Sequence, residues 1–121
     1  MDLKELQTRC HELAIEKGFW IPTGCPGEVR HRNISELLML IVSELGEACE
    51  ALRNDNRQEK KCSSCGSTDV VWKKDSFEDE ICDTVIRILD MCEALHIDLE
   101  WQIENKLNYN KTRPTKHGKQ F

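Results

Sequence analysis

The stretch Ile34–Arg53, ISELLMLIVSELGEACEALR, decides the fold. Ile34, Leu37, Leu38, Ile41, Leu45, Ala48 and Leu52 recur at steps of three and four, which at about 100° per residue lines them along one side of an α-helix. That side is expected to be core. Asn33 stands where an N-cap belongs and Glu36 follows three residues later, a capping box for the free N–H groups of the first turn. Glu44 and Glu47 lie one turn apart on the flank of the stripe, where like charges at that spacing cost a bare helix roughly 0.2–0.5 kcal/mol. Something has to compensate them.

A second segment, Ser76–Leu95, repeats the arrangement. Phe77, Ile81, Val85, Ile88, Cys92 and Leu95 have helical spacing, Ser76 is a plausible N-cap, and Glu80 and Asp83 sit at the edge of the stripe. Two such helices packed by their stripes bring four carboxylates into one cleft. Hard divalent cations that prefer oxygen, Mg²⁺ above all with Mn²⁺ as substitute, would neutralise it. The expected ligand is a metal bound to phosphate.

The pattern SELGEACEAL followed by EDEICDTVIRIL resembles the E-x-x-E plus E-x-x-D signature of the MazG-like all-α nucleoside triphosphate pyrophosphohydrolases, a group that includes dCTP pyrophosphatases and dimeric dUTPases. The resemblance runs from about Asn33 through the closing NKLNYNKTRPTKHGK. One departure is Ser43, where many members carry a further Glu. The resemblance implies a four-helix all-α bundle that hydrolyses a (deoxy)nucleoside triphosphate to the monophosphate and pyrophosphate in nucleotide-pool house-cleaning. It also implies a homodimer or homotetramer. Glu44, Glu47, Glu80 and Asp83 would hold Mg²⁺, one glutamate doubling as general base. The family's lysine and asparagine on the last helix match Lys106 and Asn110. Its base and sugar contacts fall in the region of Trp20 and His31.

At 121 residues the chain is expected to form a single domain with a modest core that gains from oligomerisation. Its formal net charge of −5 argues against general nucleic-acid binding. No apolar run approaches the roughly 20 residues that span a bilayer, and MDLKELQTRC lacks a signal-peptide core, so a soluble, cytoplasmic protein is expected. Seven cysteines, several within helical patterns, speak against a secreted disulfide framework.

In chain order, Asp2 to Lys17 reads as a first helix with Leu3, Leu6, Cys10, Leu13 and Ala14 on one face and Gly18 as its stop. The segment FWIPTGCPGEVRHR, 19–32, should be irregular; within it Trp20 reads either as a core plug or as a base-stacking ring, and His31 as a solvated loop histidine or a substrate contact. Residues 54–75, NDNRQEKKCSSCGSTDVVWKKD, look like an insertion between the acidic helices. Cys62 and Cys65 have the form of half a zinc knuckle, to be completed by Cys25 with His31 or by the same pair from a neighbouring subunit, and Val70, Val71 and Trp72 suggest a short strand. The plain alternative is a loop with two reduced thiols. Asp98 should cap a fourth helix through about Lys111 with Leu99, Ile103 and Leu107 as its packing face. Beside that face Lys106, Asn110 and Arg113 can point one way and suit triphosphate oxygens, against the simpler reading of a basic helix end. The tail 115–119 is basic and either folds over a nucleotide or stays free.

No glycine-rich phosphate loop or nucleophile triad competes with this reading. A carboxylate-bridged redox protein would need E-x-x-H ligands that neither acidic motif supplies. The remaining rival is a non-enzymatic helical adaptor stabilised by zinc at Cys62 and Cys65.

Overall fold

A computed structural model describes residues 2–58 and 71–120. Among them the chain is all-helical: α1 Leu3–Glu16, α2 Ile34–Arg53, α3 Phe77–Ala94 and α4 Leu99–Lys111, with no strand. The two regions with acidic pairs are helices as expected. The pair Cys62 and Cys65, together with Val70, lies outside the described residues; Val71 and Trp72 are exposed and in no regular structure.

Each helix begins on a side chain that accepts a first-turn N–H. Asp2 takes that of Glu5, Asn33 that of Glu36, Ser76 that of Asp79 and Asp98 that of Trp101. The stop after α1 is the glycine expected: Gly18, at φ +85°, lets the Phe19 N–H reach the Ala14 carbonyl at 3.0 Å. After α3 the same job falls to His96, which adopts φ 57° without glycine's freedom while the Ile97 N–H bonds Cys92 O at 2.8 Å. Ser76 does double duty, since its Oγ accepts from Asp79 and donates to the Lys73 carbonyl at 2.8 Å, and it is fully buried. Ser76→Ala should therefore cost about 1–2 kcal/mol, the upper range for an N-cap, read as a lowered midpoint in urea at unchanged slope; an unchanged midpoint would mean that α3 does not depend on this cap.

The two ends of the 54–75 connection are clasped at its base. The Phe77 N–H bonds Asn56 O at 2.9 Å, and Asn56 Nδ2 donates to Asp75 O at 2.8 Å. Glu78 receives Arg57 Nε and the Gln58 N–H, both at 2.8 Å. These bonds, the Gln58 N–H foremost and then Arg57, hold the Glu78 carboxyl down at about 2.

α3 is the central element, with α2 packed along it on one side and α1 on the other, while α4 touches α1 only lightly. The core is small: Trp20, Leu37, Ile41, Ala48, Ala51, Leu89 and Cys92. Here the expected stripes need correcting. On α2 the buried line is Leu37, Ile41, Glu44, Ala48 and Ala51, whereas Ile34, Leu38, Leu45 and Leu52 are exposed. At 100° per residue those four are centred about 75° round the helix from the buried line, so α2 carries two apolar faces and α3 covers one. Glu44 is inside the buried line, not on its flank. On α3 Ile81 and Val85 are open and Leu89, outside the expected set, is the most buried apolar side chain. On α1 Leu13 is exposed and the buried residues are Gln7 and His11. On α4 nothing is buried, and Ile103 and Leu107 are open. The described helices leave part of the apolar surface that the spacing defines uncovered.

Between α1 and α2 the loop doubles back at Pro22 and Val29, which form an isolated antiparallel bridge. A buried polar network pins its start. Trp20 Nε1 donates to Asp90 Oδ1 and Oδ2 at 2.9 and 3.0 Å, His11 Nδ1 lies 2.7 Å from Asp90 Oδ1, and Gln7 Nε2 bonds Ile97 O and Glu93. At the other end of the chain, 115–118 form a tight turn in which Lys116 and His117 both take left-handed φ.

Candidate metal centre

Antiparallel packing of α2 on α3 sets Glu44 and Glu47 opposite Glu80. One carboxylate oxygen from each lies within 4.8 Å of the other two. Glu44 and Glu80 are buried, being only 7% and 6% exposed, and Glu47 opens to solvent. Among the described residues this is the group of acidic, histidine or cysteine side chains placed to share an ion. Asp83, half-buried one turn beyond Glu80, is not within that distance, although its charge is felt by the cluster.

The compensating cation is Arg87, whose Nε donates to Glu44 Oε1 at 2.6 Å. Sequence reasoning missed it. The signal was present, since Arg87 falls four residues after Asp83 and seven after Glu80, hence on their face of α3.

The carboxyls respond differently to this setting. Burial pushes Glu44 up, but the bond from Arg87, with further help from Glu47 and from the Arg87 charge, outweighs it and holds Glu44 below its ordinary value. Glu47 is raised by its hydrogen bond to Glu44 and then by Glu44's charge. Burial first, then the Glu47 charge, pushes Glu80 up to about 7. Asp83 is raised by burial and then by Asp79 and Glu44. One cation does not neutralise the group, so protons do part of the work.

That has a consequence for stability. Between an ordinary value of 4.5 and about 7, Glu80 is ionised in the unfolded chain and protonated in the folded one. The folded state then binds more protons, so this group's contribution, full below the lower value, is lost as pH rises through the upper one. Melts of metal-free protein should show Glu80→Gln gaining on wild type between about pH 5 and about pH 8; a difference independent of pH would contradict the raised carboxyl.

The donor set is all oxygen, without thiolate or imidazole, and it suits a hard divalent ion such as Mg²⁺ or Mn²⁺. Three carboxylates facing one guanidinium leave negative charge that such an ion would neutralise.

The other candidate residues lie elsewhere. Trp20 is buried as a plug, its ring edge against His11 and the Arg32 guanidinium over its face at 5.0 Å. It also lines a cavity of about 250 Å³ with His31, Arg30, Leu37 and His96. Leu37 is seven residues before Glu44 on the same line of α2, about 10 Å along the helix, and the buried Ile41 lies between them. Lys106 and Arg113 instead flank the Tyr109 ring, at 5.0 and 5.6 Å. Asn110 has a shielded Oδ1 with no hydrogen-bond partner among the described residues. Neither Lys106 nor Arg113 is among the main charges acting on the acidic cluster. Cys25 is a free, exposed thiol in the same loop as exposed His31.

Compared with known protein families, with curated proteins and with solved structures, the chain matches none. No helix among the described residues is long and apolar enough to cross a membrane.

Proposed function

We propose that the protein is a Mg²⁺-dependent nucleoside triphosphate pyrophosphohydrolase that cleaves between the α- and β-phosphates. The observation that carries this reading is the gathering of Glu44, Glu47 and Glu80 within 4.8 Å, two of them buried. Burying carboxylates beside one another is unfavourable unless a ligand repays it, and the motif resemblance names the ligand as metal-bound triphosphate. Glu44, Glu47 and Glu80 would hold the ion, with Asp83 completing the set. Mg²⁺ supplies electrostatic stabilisation of the phosphate charge and acidifies bound water.

The remaining roles belong to the chain. One of the cluster glutamates would take a proton from the water that attacks the α-phosphorus. The cavity walled by Trp20, His31 and His96 also borders α2, through Leu37, and would take base and sugar while the phosphates lie over the carboxylates. Lys106, Asn110 and Arg113 would reach those phosphates from a second subunit, since in their own subunit they stand apart from the cluster. The open apolar faces of α2, α3 and α4 support self-association into a homodimer or homotetramer. For the zinc-stabilised adaptor no observation speaks, because Cys62 and Cys65 lie outside the described residues.

A panel of nucleoside triphosphates incubated with Mg²⁺ tests the reading. The expected products are monophosphate and pyrophosphate in equal amounts, with turnover abolished by EDTA and restored by Mg²⁺. Release of orthophosphate through a diphosphate would refute it.

A further inference from the structure

Arg87 has a partly used side chain beside the acidic cluster. A guanidinium carries five N–H donors, and the one with a partner among the described residues is Nε–H, held by Glu44 Oε1 at 2.6 Å. The side chain is 37% exposed, so it is not sealed within the interface. Its charge reaches beyond Glu44, acting on Glu47 and Asp83 as well. It is thus placed as the resident counter-ion of Glu44, with a weaker pull on Glu47 and Asp83.

We propose that Arg87 stands in for the divalent cation while the centre is empty and, once an ion takes over Glu44, turns its free fork to the phosphate chain of the triphosphate. The inference rests on the pyrophosphohydrolase reading and deepens it by coupling ion and substrate. The physical basis is a change of sign. With Glu44 ionised and no metal present, the guanidinium is held by Glu44. When a divalent ion neutralises that carboxylate the attraction is largely cancelled, whereas the planar fork matches two phosphate oxygens. The ion must overcome a cation already in place, so metal alone binds less tightly than the bare carboxylates would allow. The triphosphate recovers that cost by engaging the released arginine. Metal and nucleotide therefore bind with positive coupling, which is reciprocal by thermodynamic necessity. Arg87 contacts substrate in this account; it does not merely position Glu44.

The two roles give opposite signs in one variant. Mn²⁺ alone is titrated into nucleotide-free protein by electron paramagnetic resonance, and an α,β-imido nucleoside triphosphate is titrated at saturating Mn²⁺. Arg87→Gln should bind Mn²⁺ alone about threefold or more tightly than wild type, having lost the competing charge, and bind the triphosphate about tenfold or more weakly. If Arg87 only holds Glu44 in place, both affinities weaken together, and that result overturns the proposal; so does unchanged nucleotide affinity. Should Arg87→Gln fail to fold, Arg87→Lys keeps the charge and loses the fork. It should leave Mn²⁺ affinity within about twofold and still weaken the triphosphate about threefold, and equal triphosphate affinity would overturn the proposal. Wild-type protein that binds neither Mn²⁺ nor triphosphate sinks the enzyme reading and this inference together. Wild-type binding of both, with parallel losses in Arg87→Gln, sinks only the role of Arg87.

Discussion

Glu47→Gln is expected to lower turnover more than about a hundredfold, beyond the upper end of what losing an outer-shell partner of a metal costs, without unfolding the protein. Glu47 is exposed, so the amide leaves no cavity, and it removes one of the like charges that raise Glu80. The metal-free variant should melt at or above the wild-type temperature with unchanged helix content. Adding Mg²⁺ and a non-hydrolysable triphosphate should raise the melting temperature of wild type, as for any ligand that binds only the folded state, and raise that of the variant far less. Glu50→Gln is the control, because Glu50 is one turn further along α2, exposed and, among the described residues, paired with Arg53 at 3.6 Å. Its turnover should stay within about twofold. A Glu47→Gln protein with near-normal turnover, or one inactive only because it is unfolded, would make the cluster an ordinary structural face.

Leu89→Ala is expected to have the largest effect on stability. Leu89 is 1% exposed, on the helix that both α1 and α2 pack against. Truncating such a leucine costs about 2–5 kcal/mol through lost burial and the cavity left behind. A domain has only about 5–15 kcal/mol in all, so the melting temperature should fall by roughly 10 °C or more. Leu13→Ala makes the same change at a 55% exposed position and should stay within about 0.5 kcal/mol. Equal losses at the two positions would mean that the core is not where α3 places it.

The contrast between those leucines shows what sequence spacing carries and what it does not. Local signals are complete in the chain, which is why Asn33, Ser76 and Asp98 announce their helices and Gly18 its stop. Periodicity gives the apolar sectors but not which sector meets a neighbour. On α2 the sector of Leu37 and Ile41 faces α3 while that of Leu38 and Leu45 stays open, and only the angle of packing decides between them. The same angle draws Glu44 into the buried line. The acidic pairs were legible because their chemistry repeats on two helices, but Asp83, expected as a fourth member of the cluster, stands outside the close triad. Arg87 was overlooked because a lone arginine on a helix surface is ordinary until its partner across the interface is known. His11 and Asp90 were hidden for the same reason, their bond joining residues far apart in the chain. Trp20 could be read both ways, and it serves as a plug whose ring also walls a cavity.

The central claim is that water attacks the α-phosphorus of a nucleoside triphosphate over the Glu44, Glu47 and Glu80 centre. Its most direct test is a single reaction with Mg²⁺ in water labelled with heavy oxygen, followed by mass analysis of both products. The account predicts one labelled oxygen in the nucleoside monophosphate and none in the pyrophosphate. Label in the pyrophosphate, or label in released orthophosphate, would place the attack on another phosphorus and contradict it.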